Sequence, residues 1–144
     1  MRVSAEGCGS WLQKEGDKRN RILVCTHSNS AADLYIREYL DPYITSLDQD
    51  TSGEQRRVKL VRVYYRNRWV TTVSQVVQKY CLIDSPEETG TGSRSFRNPS
   101  LADVEDCDVV VATLSTSRYL SGLGLPKGHF THILIDEAAQ VFFS

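Results

Sequence analysis

Three times in 144 residues a short β-branched or aliphatic run stops abruptly at polar residues. Ile22-Leu23-Val24-Cys25 meets Thr26-His27-Ser28-Asn29-Ser30. Val109-Val110-Val111-Ala112 meets Thr113-Leu114-Ser115-Thr116-Ser117. Ile133-Leu134-Ile135 meets the adjacent carboxylates Asp136-Glu137. A run this short and apolar throughout is a strand buried on both faces. After the first run, Ala32, Tyr35, Ile36, Tyr39 and Leu40 fall at i, i+3, i+4, i+7 and i+8, one face of a helix. Strands alternating with helices make βαβ units and a parallel sheet covered by helices. In such a sheet the three polar ends share one edge, outside the carboxyl ends of the strands, where ligands collect.

The remaining segments fit around that frame. Residues 1–20 show little periodicity and are expected to be a poorly ordered lead-in. Ser30 with Asp33 resembles a capping box, and Asp41-Pro42 is expected to stop the first helix. Val58 to Tyr65 reads as a strand. Val70, Val73, Val77 and Tyr80 have helical spacing, against the β-branched preference of three valines. Residues 84–99, rich in Ser, Thr, Gly, Glu and Pro, read as a surface loop or insertion. A short helix is expected from the Thr113 turn to Leu120.

Composition sets outer bounds. Apolar residues make up 40% and charged residues 24%, which fits one globular domain with one core. The net charge of -1 does not by itself point to nucleic acid. Cys8, Cys25, Cys81 and Cys107 are too scattered for a zinc site or disulfide framework. They point to a reduced intracellular compartment, cytoplasm or nucleus. No apolar run approaches the ~20 residues of a membrane span, and no apolar segment after Met1 suggests a signal peptide.

The polar ends suggest chemistry. A carboxylate at a strand tip, such as Asp136, can hold Mg2+ through its water shell, and Glu137 can orient or activate a water. Ala138 and Ala139 leave that corner uncrowded; two solvated acids at a strand end are the bland alternative. Ser28, Asn29 and Ser30 stand where a helix begins and free N–H groups point outward, so they can hold a phosphate backbone. Helix capping is the simpler account of the same residue types, and one can cap while its neighbours face outward. Thr113 and Ser115 open a second hydroxyl-rich turn with the same two readings.

Arg56 to Arg68 holds six basic residues and no acidic one. Arg62, Arg66 and Arg68 interleave with Tyr64, Tyr65 and Trp69, a mixture suited to single-stranded nucleic acid. A strand with a solvated basic face and a buried aromatic face is the simpler account. Thr89 to Ser93 echoes a phosphate loop but lacks the lysine and a preceding strand, and Gly122 to Gly128 fails the same pattern. His129 and His132 read as ordinary polar histidines, since His132 enters the last strand far from its acidic tip.

These residues together resemble a known family. Ile22 through Asp33 resembles motif Ia of the superfamily 1 RNA helicases related to the nonsense-mediated-decay helicase. Val109 through Thr113 resembles the strand and threonine that follow there, and Asp136-Glu137-Ala138-Ala139-Gln140 resembles motif II. Arg66-Asn67-Arg68-Trp69-Val70, Tyr80-Cys81-Leu82-Ile83 and Phe130 through Glu137 are similar to the helicase-with-zinc-finger branch. The resemblance covers roughly residues 21–140. It implies α/β architecture, a partial first RecA-like domain of a P-loop NTPase.

It further implies that Asp136 serves Mg2+, that Glu137 is catalytic, and that Asp136 and Gln140 belong to the ATP side. Ser28, Asn29, Ser30, Thr113 and Ser115 would face RNA, in a single-stranded form. The phosphate loop of that family is not found ahead of Arg21, and residues 141–144 diverge from family text. The expectation is a helicase fragment inactive alone. The alternative is a non-catalytic module binding RNA or a protein partner of the parent helicase, and an unrelated parallel α/β domain is a third possibility.

Overall fold

The computed structural model describes residues 19–50, 53 and 57–136. Most of the 1–20 lead-in, the 141–144 tail, Glu137 and Gln140 lie outside them. Strand β1 (Ile22–Thr26) leads into helix α1 (Asn29–Tyr35), a π-helical turn (Ile36–Leu40) and helix α2 (Asp41–Gln49). Strand β2 (Leu60–Arg62) follows, then a 3-10 turn (Val70–Thr72) and the single-turn helix α3 (Gln75–Gln78). The chain continues through β3 (Ile83–Asp84), α4 (Pro86–Thr89), β4 (Ser95–Phe96) and α5 (Leu101–Val104). It then forms β5 (Val109–Thr113), α6 (Leu114–Ser121) and β6 (His132–Ile135).

The main sheet has the order β2-β5-β1-β6, with every pairing parallel. Its side chains alternate between two cores, as a pleated strand requires. Val111 joins Ala32, Ile36, Ile44, Leu60 and Tyr64 on one face. Val110 and Ala112 join Leu23, Cys25, Val61, Val104 and Leu120 on the other. This is the helix-covered parallel sheet expected from the apolar runs.

Four local expectations are corrected. Asp41-Pro42 does not stop the first helix. The Asp41 N–H donates to the Ile36 carbonyl, five residues back, and this wider turn puts Pro42 in the first turn of α2, where its missing N–H costs nothing. The N-cap of α1 is Ser28, whose hydroxyl accepts from Ala31 N at 3.1 Å; Ser30 and Asp33 form no capping box, because Asp33 binds Arg62 and Tyr64 instead. The valine spacing marks a buried face, since Val70, Val73 and Val77 are all buried, but the backbone breaks into the 3-10 turn and α3 as β-branching disfavours a longer helix. The strand expected over residues 58–65 is regular only at β2, although Val63 and Tyr64 stay buried beyond it.

Residues 84–99 carry more structure than a loop. β3 and β4 pair antiparallel, and Phe96 is buried with its ring stacked on Tyr64 at 4.7 Å between centroids. One aromatic residue thus anchors an otherwise polar stretch to the core. β6 departs from the sequence reading in another way. It is a parallel strand, yet among the described residues it lies at the sheet edge with Ile133, Leu134 and Ile135 all about half exposed.

Candidate functional site

Register brings the three polar ends level. Thr26 pairs with Thr113 across β1 and β5, and Cys25 pairs with Ile135 across β1 and β6. Asp136, the next residue, donates its N–H to the Cys25 carbonyl at 2.9 Å. The Ser28 turn, the Thr113 turn and the Asp136 carboxylate therefore emerge side by side from adjacent parallel strands.

Each turn is braced internally. The Thr26 hydroxyl donates to the Ser28 carbonyl at 2.7 Å. Ser28 is exposed and caps α1, Ser30 is exposed in the first helical turn, and Asn29 is half-buried. Thr113 is buried, and its Oγ1 accepts from Thr116 N at 3.2 Å and shares a 3.0 Å contact with Thr116 Oγ1. That hydroxyl is occupied in capping α6, while Ser115 is exposed in the first turn of the same helix. The structure thus brings Ser28, Asn29, Ser30, Thr113, Ser115 and Asp136 to one edge. Of these, Ser28, Ser30 and Ser115 present themselves to solvent.

A buried polar network behind the Ser28 turn was not legible as such. Arg62 is fully buried. Its Nε donates to Asp33 Oδ1 at 3.1 Å, its Nη2 to Asn29 Oδ1 at 2.9 Å, and its Nη1 to the Val63 carbonyl at 2.6 Å. The Tyr64 hydroxyl donates to the other Asp33 oxygen. The guanidinium lies 3.9 Å from the Tyr64 ring centroid. Burial, and then the Asp33 carboxylate, push the Tyr64 phenol well above its usual range, so it stays a donor. The signal available in the sequence was an arginine between two apolar residues in a strand, Val61-Arg62-Val63. Its charge demands an acidic partner, and the partly buried Asp33 is that acid.

Asp136 is half-buried at the tip of β6. Among the described residues no three His, Cys, Asp or Glu side chains converge as a metal cage. A single carboxylate still suits Mg2+, which keeps several waters and takes phosphate oxygens rather than a full protein shell. His132 opens β6, exposed, with its Nδ1 2.9 Å from Thr131 Oγ1. His129 is buried, edge-on to Phe130 at 4.9 Å, and burial lowers its basicity.

A parallel sheet with hydroxyl-rich turns and an acid collected at its carboxyl edge defines a domain of the RecA-like α/β class. Comparison with known proteins agrees. Residues 3–99 match the AAA domain family. Over 123 residues, 85% of the chain, the sequence is 52% identical to the probable helicase with zinc finger domain of Mus musculus, and equally so to that of Homo sapiens. Over 121 residues, 84% of the chain, it is 38% identical to the human 3'-5' exoribonuclease HELZ2 and 33% identical to the human RNA helicase Mov10l1. The chain belongs to this family of superfamily 1 helicases, in the part that carries their AAA domain. It spans only 6% of the length of the zinc-finger helicases, 4% of HELZ2 and 8% of Mov10l1. No solved structure matches it.

Proposed function

We propose that this chain is the RNA-contacting and nucleotide-adjacent part of an RNA helicase motor. The observation that carries the reading is the register that sets the Ser28 turn, the Thr113 turn and Asp136 on one sheet edge. Exposed hydroxyls and helix N–H groups at the start of α1 and α6 suit RNA phosphates. In this reading Ser28, Asn29, Ser30, Thr113 and Ser115 line the strand's path. Asp136 would hold Mg2+, with Glu137 activating water and Gln140 on the nucleotide side. When bound, Mg2+ neutralises charge on the phosphates of ATP. The 144 residues contain no glycine-lysine phosphate loop, so by themselves they bind RNA without turning over ATP.

The test is binding of single-stranded RNA to the purified chain, followed by fluorescence anisotropy between about 50 and about 200 mM salt. Affinity falls steeply with salt, is unchanged by Mg-ATP, and drops in Ser28→Ala/Asn29→Ala while that variant still unfolds cooperatively. Absence of binding at the lowest salt overturns the reading. ATP turnover abolished by Glu137→Gln overturns the inactivity. A second reading, a protein-docking module, is favoured by the uncovered aliphatic side chains of β6; it requires that RNA fail to bind.

A further inference from the structure

The basic cluster between Arg56 and Arg68 is not one surface. Arg57 faces Asp48 at 3.8 Å, Lys59 is paired with Asp106, and Arg62 is buried against Asp33. Arg56 lies outside the described residues. That leaves Arg66 and Arg68, which have no ion pair among the described residues. The Arg68 guanidinium lies 5.4 Å from the Tyr64 ring centroid, and its Nε is buried without a hydrogen-bond partner. The two uncompensated cations therefore sit together in a five-residue stretch, Tyr65-Arg66-Asn67-Arg68-Trp69.

That stretch also carries the most exposed large hydrophobic side chain among the described residues. Trp69 is 73% exposed and Tyr65 46%. Exposure here does not come from a loose backbone. Arg68 N donates to the Tyr65 carbonyl at 3.0 Å, closing a tight turn. Both the backbone N and the hydroxyl of Thr72 donate to the Trp69 carbonyl, at 3.1 and 2.7 Å, and Trp69 forms a bridge with Ser95. Asn67 Nδ2 donates to the Tyr65 hydroxyl at 3.0 Å. Two aromatic rings are thus held out to solvent on a fixed scaffold, although burial of either would be favourable.

Position links this turn to the edge already described. β2 runs parallel to β5, with Arg62 opposite Val111, two residues before Thr113. The chain leaving β2 therefore emerges on the same edge as the Thr113 and Ser28 turns. Tyr64 ties it to α1 through Asp33 and carries Arg68 over its ring. Beside it is a polar cleft of about 550 Å3, lined by Arg66, Asn67, Ser95 and Arg97 among others. The acids in that cleft are already engaged: Asp84 faces Arg97 at 3.4 Å, and Glu88 accepts from Ser85 N at 2.7 Å. The charges lining the cleft balance, and Arg66 is its cation without an ion pair among the described residues.

Flat aromatic faces beside cations with no carboxylate to satisfy them suit a ligand with both π-surfaces and anionic oxygens. Single-stranded RNA has both, one base face per phosphate. An acidic peptide uses the cations but leaves the rings idle. We infer that the Tyr65–Trp69 turn is a second RNA contact, stacking a base on Trp69 and holding phosphate with Arg66, continuous with the strand path over the Ser28 turn. The inference rests on the RNA-binding reading above.

The sequence holds two tryptophans, so Trp11→Phe leaves Trp69 as the sole reporter. In that background a short oligouridine quenches the emission as it binds. Trp69→Ala weakens binding roughly 5- to 150-fold, the range for loss of one stacked base, and Trp69→Phe restores part of it. Arg66→Ala lowers the slope of log affinity against log salt by about 1. Circular dichroism confirms that the variants fold. If Ser28→Ala/Asn29→Ala weakens binding but Trp69→Ala does not, and the emission is unchanged by RNA, this inference is overturned and the RNA-binding reading stands. If the parent chain binds no oligouridine, both fall. Polyglutamate competing as well as RNA of equal charge, without quenching, also overturns the stacking contact.

Discussion

Arg62 Nη2 donates to Asn29 Oδ1 across 2.9 Å, so a residue in the sheet fixes a side chain at the start of α1. With its oxygen engaged, the Asn29 carboxamide is left to act through its NH2 group, a donor suited to a phosphate oxygen. The same guanidinium holds Asp33 one turn later. A fully buried cation is costly unless its partner stays in place. Asp33→Leu, which strands that cation, therefore costs about 3–5 kcal/mol, and Arg62→Met/Asp33→Leu costs much less than the sum of the two single changes. Urea denaturation of the three variants measures the coupling. Additive losses would show that the pair does not act as a unit.

A second charge pair sets an acid limit. Arg97 grips Asp103 with two hydrogen bonds, at 2.6 and 2.8 Å. That grip, helped by donors from Ser100, holds the Asp103 carboxyl well below its ordinary 3.8. A depressed folded-state value contributes stability above the unfolded value and loses it as pH falls through the folded one. At neutral pH Asp103→Asn should melt below the parent chain, and the gap should narrow once the pH falls below 3.8. Thermal melts across that interval read this directly; a gap that stays constant with pH contradicts the assignment.

The sheet was legible because its central strands are short and apolar on both faces, and a run of that kind is buried on both sides only inside a sheet covered by helices. The site was legible only as far as strand ends are. Ile22–Thr26 and Val109–Thr113 fixed where the turns emerge, and their hydroxyls followed. The Arg62, Asp33 and Asn29 network was not legible, because it joins residues about 30 apart and looks locally like a helix cap and a basic strand. Phe96 was missed for the same reason. Its polar neighbours describe a loop, and only the distant Tyr64 ring makes it core. Pro42 misled because the rule that proline ends a helix assumes regular α geometry, and the π turn before it breaks that assumption.

Three thiols report on packing. Cys25 and Cys107 are buried and Cys81 is half-buried, all unpaired. Burial pushes the Cys25 thiol up, Cys81 to about 12 and Cys107 to about 11. The thiolate is the reactive form, so these cysteines resist iodoacetamide near pH 8 in the folded chain and react readily in urea. Peptide mass mapping separates them from Cys8. Rapid modification of Cys107 without denaturant would mean that the core around Val104 and Leu120 opens readily.

The edge strand carries the last expectation. Ile133, Leu134 and Ile135 are 58%, 54% and 49% exposed, and among the described residues β6 pairs on one side only, with β1. Beside it Val24, Tyr35, Tyr39 and Leu40 line an apolar hollow of about 390 Å3 that reaches Asp136. An open edge with exposed aliphatics is a template for strand pairing between chains. The purified chain should therefore associate as its concentration rises, in sedimentation or light scattering. A charge placed on such an edge opposes pairing, so Leu134→Lys should shift the distribution toward monomer. Because Leu134 is half exposed, the change should alter folding stability by no more than about 0.5 kcal/mol. A monodisperse monomer at high concentration would show that this face is already covered in solution.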